Sequence, residues 1–333
     1  MSLPKLLFIT ALGLSVALGV LVYNKKTKKE TAITEVAVQA ITEPVEVLLE
    51  PVEVRAPLQP PPAPPLLVEN PHPTAEAVKI ELSLPQEDHT DELFKRNNNK
   101  LKFIETITYK SKVNWLKGRP AWLSDYASHF ETSRHFIARS LNGRADYFKQ
   151  EIAEGDKFNV YRKDVDLKFH LVVDASLCKL WLYAVDDTHN DKVLLKTYPV
   201  CMGRPDDSKS SGMLTPLGMF SLGNRIAIYK PKVMGYHNSK KVEMVRIFGS
   251  RWIPFEKEIA KATAPAKGFG IHGVPWTEQG KELKQDKSSL GKYESDGCIR
   301  LATEDMEEIF AIIITKPAVV EIVKHFHDSV LFK

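Results

Sequence analysis

Proline decides where this chain can build a core. Ten of its 21 prolines fall between Pro44 and Pro73, and each removes a backbone donor and fixes φ, which neither a helix interior nor a central strand tolerates. Glu-Pro-Val-Glu-Val occurs twice, at 43–47 and 50–54, and PPPAPP follows at 60–65. Such sequence favours extended polyproline II, about 3.1 Å per residue, and acts as a semi-rigid spacer. Residues 25–100, closing on Asn97-Asn98-Asn99, are therefore expected to be a disordered, Pro-rich tether. Its reach is on the order of 100–200 Å. A ligand for an SH3-type groove is the other reading of the same prolines.

Ahead of the tether lies Leu6–Tyr23, eighteen residues without a charge. A helix of that length spans roughly 27 Å, enough to cross a bilayer core. Lys5 in front also suits a cleaved signal peptide, but no small-x-small cleavage site follows the run. Residues 1–24 are expected to be an N-terminal membrane anchor. Lys25, Lys26, Lys28 and Lys29 come next, and a literal positive-inside count would keep the rest of the chain in the cytoplasm.

What remains is enough for two domains. The chain is 43% hydrophobic and 26% charged, ordinary globular usage that excludes whole-chain disorder and a multi-span membrane protein. A net charge of +4 gives no reason to expect a nucleic-acid partner. Cys178, Cys201 and Cys298 are too few, and odd in number, for a disulfide-built scaffold.

Residues 101–164 carry apolar side chains at helical spacing, Trp122, Tyr126, Phe130 and then Phe136, Ile137, Leu141. Thr132 or Ser133 is placed to cap the second helix, Asn142-Gly143 ends it, and Ile152–Tyr161 reads as a turn into a strand. This order resembles a LysM module, whose family binds N-acetylglucosamine-containing glycan strands. A small helical packing domain is the alternative.

From about residue 165 to 333 the texture is that of strands. Phe169–Val173 and Leu177–Val185 flank Asp174-Ala175-Ser176, and Lys192–Met202 should pair with the second of these in a hairpin that brings Cys178 and Cys201 together as buried thiols, a disulfide being the alternative. Helices are expected only at Thr303–Ile314, with Thr303 as its cap, and around Val320–His327. The class is mainly β with added helices (α+β).

The chemistry gathers at Ser295-Asp296-Gly297-Cys298-Ile299-Arg300-Leu301. Glycine allows a tight turn and close approach of a substrate, turn amides can face a developing oxyanion, and a helix start close behind lowers a thiol pKa. His272, in Gly268-Phe269-Gly270-Ile271-His272-Gly273, offers an imidazole at a strand end. From the residues alone, a catalytic cysteine and a buried inert one both remain open. The chain has no H-E-x-x-H, no C-x-x-C, and no G-x-G-x-x-G followed by a binding helix, so metalloprotease, redox and dinucleotide readings have no support.

Strand-end His-Gly, Ser-x-Gly-Cys-Ile-Arg-Leu and, upstream, Thr215-Pro216-Leu217-Gly218-Met219-Phe220 together resemble the L,D-transpeptidase (YkuD-type) catalytic domain. The resemblance covers about half the chain. It implies a β-sandwich-like fold, no metal or organic cofactor, and peptidoglycan stem peptides as substrate. It further implies Cys298 as nucleophile, His272 as its base, Gly273 orienting the imidazole through its carbonyl, and the Gly297–Cys298 backbone as oxyanion hole, with Ser295 and Asp296 ordering the loop. Arg300 would sit beside the pocket, with Trp252 and Trp276 as substrate contacts. The reaction implied is attack on a diaminopimelate–D-alanine bond, a thioester, and transfer to an amine of another stem or of an envelope protein. Water instead gives an L,D-carboxypeptidase, and a chain without turnover would be a peptidoglycan-binding envelope protein. Such a substrate implies an inner-membrane anchor with the catalytic domain in the periplasm.

Two departures stand out. Asp296 occupies the place where the family usually has histidine, and 22 residues separate His272 from Ser295, more than is common. Thr277–Tyr293 is polar and charged, so the surplus is expected to be a surface loop at the rim of the site.

Overall fold

The computed structural model describes residues 84–98 and 100–333. The expected anchor and the tether up to residue 83 lie outside the described residues. Among the described residues no helix is long and apolar enough to cross a membrane. The last part of the expected tether is folded. Leu84 is buried, and helix α1 (Thr90–Phe94) sinks Leu93 into the main core while Phe94 meets Phe136 at 5.2 Å. Apolar side chains rather than prolines govern these residues.

Residues 101–164 form β1 (Ile104–Thr108), α2 (Leu123–His129), α3 (Arg134–Asn142) and β2 (Lys157–Tyr161). The outer strands pair antiparallel, from Ile104 opposite Tyr161 to Thr108 opposite Lys157. Sequence reasoning found both helices and β2 but not β1. Ser133 caps α3, its Oγ accepting from the His135 amide at 3.2 Å, and Gly143 ends it at φ 75°. Leu123, Tyr126, Ile137, Phe158 and Val160 make a small core of their own. Phe136 and Tyr161 face the other way into the larger core, where the Tyr161 hydroxyl donates to the Ile312 carbonyl at 2.8 Å.

The rest is built on one sheet. In chain order the elements are β3 (Leu167–Asp174), β4 (Lys179–Asp186), β5 (Asp191–Pro199), β6 (Met202–Gly203), β7 (Gly218–Leu222), β8 (Ala227–Ile228), β9 (Met234–His237), β10 (Lys240–Glu243) and α4 (Val245–Phe248). There follow β11 (Arg251–Ala260), β12 (Gly270–Gly273), β13 (Trp276–Gln279), β14 (Glu282–Gln285), β15 (Tyr293–Ser295), β16 (Ile299–Leu301), α5 (Thr303–Ile313) and β17 (Ala318–Val323). The spatial order is β16-β12-β11-β7-β17-β3-β4-β5, with β8 beside β11. The nine strands are joined through β11, whose Trp252–Pro254 pair with β12 and whose Phe255–Ala260 pair with β7, so the sheet curls, which is compatible with the expected fold. On β3 and β4, Phe169, Leu171, Val173, Leu180 and Leu182 face the main core, with Met306, Ile309 and Phe310 of α5. The alternate residues Val172, Trp181 and Tyr183 face Leu84, Phe326 and Leu331, as a period of two requires when both faces are covered.

The β4–β5 hairpin forms as expected, from Lys179 opposite Pro199 to Asp186 opposite Asp191, and Cys178 and Cys201 are free buried thiols. Three expectations fail. The stretch near Val320 is strand β17 followed by a 3₁₀ turn (Phe326–Asp328), not a helix. Its β-branched run lies between β3 and β7. Thr303 does not cap α5: Ala302 holds that place, and Thr303 Oγ1 accepts from Trp276 Nε1 at 3.2 Å. Residues 277–293 are not a plain loop, since β13 and β14 pair within them.

A buried ionic cluster joins the two parts. Asp146 contacts the His135 ring at 3.1 Å and pairs with Arg251, whose side chain is 2% exposed and lies 3.7 Å from Glu307. Burial alone would raise the Asp146 carboxyl, but His135 and Arg251 hold it down at about 2. A depressed carboxylate contributes stability above its unfolded pKa, and loses that contribution as pH falls through its folded one. We therefore expect Asp146→Asn to cost roughly 2 kcal/mol at pH 7 and to make stability flatter between about pH 4 and pH 2. Urea unfolding at both ends of that window checks it, and equal slopes for parent and variant would refute it.

Candidate active site

Strands β12 and β16 run parallel, with Ile271 opposite Ile299 and His272 opposite Arg300. Side chains alternate along each strand. Ile271 and Ile299 therefore point into the core, while His272 and Arg300 share the opposite face, and Cys298 stands in the turn just before β16. On the other side of β12, Trp252 of β11 lies opposite His272.

The turn that presents Cys298 is closed by side chains. Ser295 Oγ donates to the Cys298 carbonyl at 2.6 Å and accepts from the Gly297 amide at 3.1 Å. Thr215 Oγ1 donates to the Gly297 carbonyl at 2.9 Å and accepts from the Gly203 amide at 2.7 Å. Gly297 sits at φ 120°, and a Cβ there would lie 2.7 Å from the Phe269 ring and 2.9 Å from the Leu214 carbonyl. Both the backbone and the space demand glycine. We expect Gly297→Ala to cost at least about 1–3 kcal/mol from backbone strain and to lower activity more than tenfold by displacing the sulfur. Thermal melts and steady-state rates check this, and a variant with parental values would contradict it.

The Cys298 residue is partly exposed, with Sγ 3.9 Å from the Gly268 carbonyl. Burial of its sulfur nevertheless pushes the thiol up to about 11, against the opposing pull of the Gly270 amide and the Arg300 charge. His272 is 3% exposed. Its Nδ1 donates to the Gly273 carbonyl at 2.8 Å, which assigns the proton to Nδ1 and leaves Nε2 as the acceptor. Phe248 meets the ring edge-on at 5.2 Å and Trp252 lies tilted at 5.7 Å. Burial first, then the Arg300 charge, push the imidazole down to about 3 despite the carbonyls of Gly273 and Phe248. At neutral pH both partners are uncharged. The expected lowering of the thiol pKa by a nearby helix start does not occur, because desolvation outweighs it. Among the described residues no cluster of three or more His, Cys, Asp or Glu side chains could hold a metal ion.

Residues 168–322 match the family model of the L,D-transpeptidase catalytic domain, YkuD. That stretch is an L,D-transpeptidase domain. A Bacillus subtilis (strain 168) protein, YqjB, whose name proposes an L,D-transpeptidase, is 32% identical over 119 residues, covering 35% of this chain and 53% of YqjB. The chain thus spans about half the length of the curated relative it matches. Among solved structures, the helical cell shape determining protein Pgp2 of Campylobacter jejuni aligns with a TM-score of 0.33 at 18% identity, over 48% of this chain and 49% of that one. Bd1075 of Bdellovibrio bacteriovorus aligns with a TM-score of 0.32 at 15% identity, over 47% of this chain and 48% of that one.

Within the L,D-transpeptidase domain the structure sorts the residues singled out from sequence. Gly273 orients the imidazole through its carbonyl, and Ser295 ties the turn. The Gly297 amide is engaged by Ser295 Oγ, so it is not the free oxyanion donor expected of it. Asp296 points to solvent and pairs with Arg204. Arg300 lies beside His272 with its Nε buried and without a hydrogen-bond partner. Trp252 packs on His272, whereas the Trp276 indole is tied to Thr303 at the start of α5. Sequence reasoning missed Phe248 and Arg204, and gave Thr215 no role although it opens the Thr-Pro-x-Gly-x-Phe motif.

Proposed function

We propose that this L,D-transpeptidase domain is a cysteine acyltransferase acting on tetrapeptide stems of peptidoglycan. The observation that carries the reading is Cys298 on its glycine turn, one residue before β16, the strand paired with the β12 that holds His272, whose Nδ1 donates to the Gly273 carbonyl and so leaves Nε2 as the acceptor. As Sγ attacks the carbonyl at the L-centre of a diaminopimelate–D-alanine bond, His272 takes the thiol proton and passes it to the departing amine of D-alanine. The Cys298 amide, with the Gly297 amide engaged elsewhere, supports the oxyanion. A thioester on Cys298 results. An amine of a neighbouring stem resolves it to a 3→3 crosslink, an amine of an envelope protein gives protein attachment, and water gives the L,D-carboxypeptidase outcome. Incubating the protein with sacculi, digesting them and identifying new muropeptides by mass tests the proposal. Unchanged muropeptides, together with no Cys298 adduct from a carbapenem, would leave only a peptidoglycan-binding envelope protein.

The reading also requires the domain to lie outside the inner membrane, where crosslinkable stems are, with Leu6–Tyr23 as anchor. Long domains translocate largely regardless of flanking charge, which answers the lysines at 25–29. An inactive phosphatase fused after Lys333 would refute this placement. Glycan binding by residues 101–164 belongs to the same proposal. It is supported by their strand–helix–helix–strand order, and failure to retain N-acetylglucosamine oligomers would dismiss it.

A further inference from the structure

Asp296 and Arg204 form an ion pair at the rim of the nucleophile turn, their side chains 76% and 56% exposed. Neither side chain is needed to close that turn. Its hydrogen bonds come from Ser295 and Thr215, and Arg204 is held through its backbone, its amide donating to the Ser295 carbonyl at 3.0 Å and its own carbonyl accepting from Leu214 at 2.9 Å. A pair so exposed contributes little to stability, so a ligand can separate or bridge it at small cost. It stands two residues from Cys298, close enough for the Asp296 charge to act on the thiol. A carboxylate and a guanidinium side by side complement a carbon that bears both an ammonium and a carboxylate.

We propose that Asp296 and Arg204 form the acceptor subsite, and that it selects amines carrying a carboxylate on the same carbon, the free amino-acid head group that a diaminopimelate side chain presents. The inference rests on the acyl-transfer reading above. The head group enters as a zwitterion, its ammonium on Asp296 and its carboxylate on Arg204. The ammonium loses one proton to solvent, and the neutral amine attacks the thioester carbonyl. The C–N bond forms, the C–S bond breaks, and the second amine proton passes through His272 to the leaving sulfur, restoring the thiol.

The experiment measures how the Cys298 acyl-enzyme partitions among a free amino acid, the corresponding amino-acid amide and water, using the full chain and a tetrapeptide donor. Because a ratio of products from one intermediate is read, the result does not depend on how fast that intermediate forms. The parent should favour the amino acid over its amide. Asp296→Asn should shift partition toward water on the order of tenfold, the scale of one charge-assisted hydrogen bond, while Asp296→Glu keeps the parental ratio within about threefold. Arg204→Gln should abolish the preference for amino acid over amide. An Asp296→Asn ratio equal to the parent's would overturn the inference, and so would an Asp296→Glu ratio that falls as far, since that would report loop geometry rather than charge. If the parent forms no acyl-enzyme on Cys298, the acyl-transfer reading itself fails, an outcome distinct from either.

Discussion

Replacing Cys298 with alanine abolishes acyl transfer and leaves the fold intact. The Ser295 hydroxyl of the same turn is committed to backbone atoms, which leaves the Cys298 sulfur as its nucleophile, and the sulfur contributes nothing the turn needs. Ser295 Oγ bonds the Cys298 carbonyl and Thr215 bonds the Gly297 carbonyl, both to backbone atoms that alanine retains. Cys298 Sγ approaches the Gly268 carbonyl only to 3.9 Å, too long a contact to hold structure. Alanine at a partly exposed position opens no closed cavity, so the stability change should stay within about 1 kcal/mol. Circular dichroism and urea unfolding read the fold, and mass spectrometry of the intact protein reads the acyl-enzyme. Collapse of the variant would make Cys298 a core residue, and crosslinking that survives would assign the chemistry elsewhere.

The turn that carries Cys298 and the strand end that carries His272 were legible from sequence because their constraints are local. A glycine before the cysteine, a serine two residues earlier and a strand-end His-Gly each state a backbone requirement within a few residues. The hairpin of β4 and β5 was legible for the same reason, since polar clusters between alternating apolar residues set its register. What escaped depends on distant chain. Phe248 reaches His272 from a four-residue helix, and Arg204 reaches Asp296 only because β6 lies beside β15. No spacing rule connects such residues. The helix expected near Val320 was a different error, because the β-branched residues of Ala318–Val323 already signalled a strand. The protonation states were also beyond reach, because desolvation decides them and burial is a property of the folded chain. Sequence suggested a thiol activated before substrate arrives. Burial instead pushes the thiol up and the imidazole down, so that both are neutral.

That difference governs what removal of the base should do. His272→Gln lowers acyl transfer by at least about 10²-fold, the usual contribution of a positioned general base. With the imidazole pushed down to about 3, it is in its working, unprotonated form at any pH above that. The acid limb of the parental pH–rate profile should therefore lie near pH 3, far below the ordinary histidine value of ~6.5, and His272→Gln should remove it. Thiolate appears only as pH rises toward about 11, so alkylation of Cys298 should climb through the alkaline range in parent and variant alike, a neutral ring having no charge with which to stabilise the thiolate. Arg300 gives the sign an independent check. Its charge lowers both groups, so Arg300→Gln should move the acid limb and the alkylation curve upward together. A parental alkylation midpoint near or below pH 7 that is lost in His272→Gln would mean a resting thiolate–imidazolium pair. The proton would then leave sulfur before substrate binds, and attack with concerted proton transfer to Nε2 would no longer describe this site.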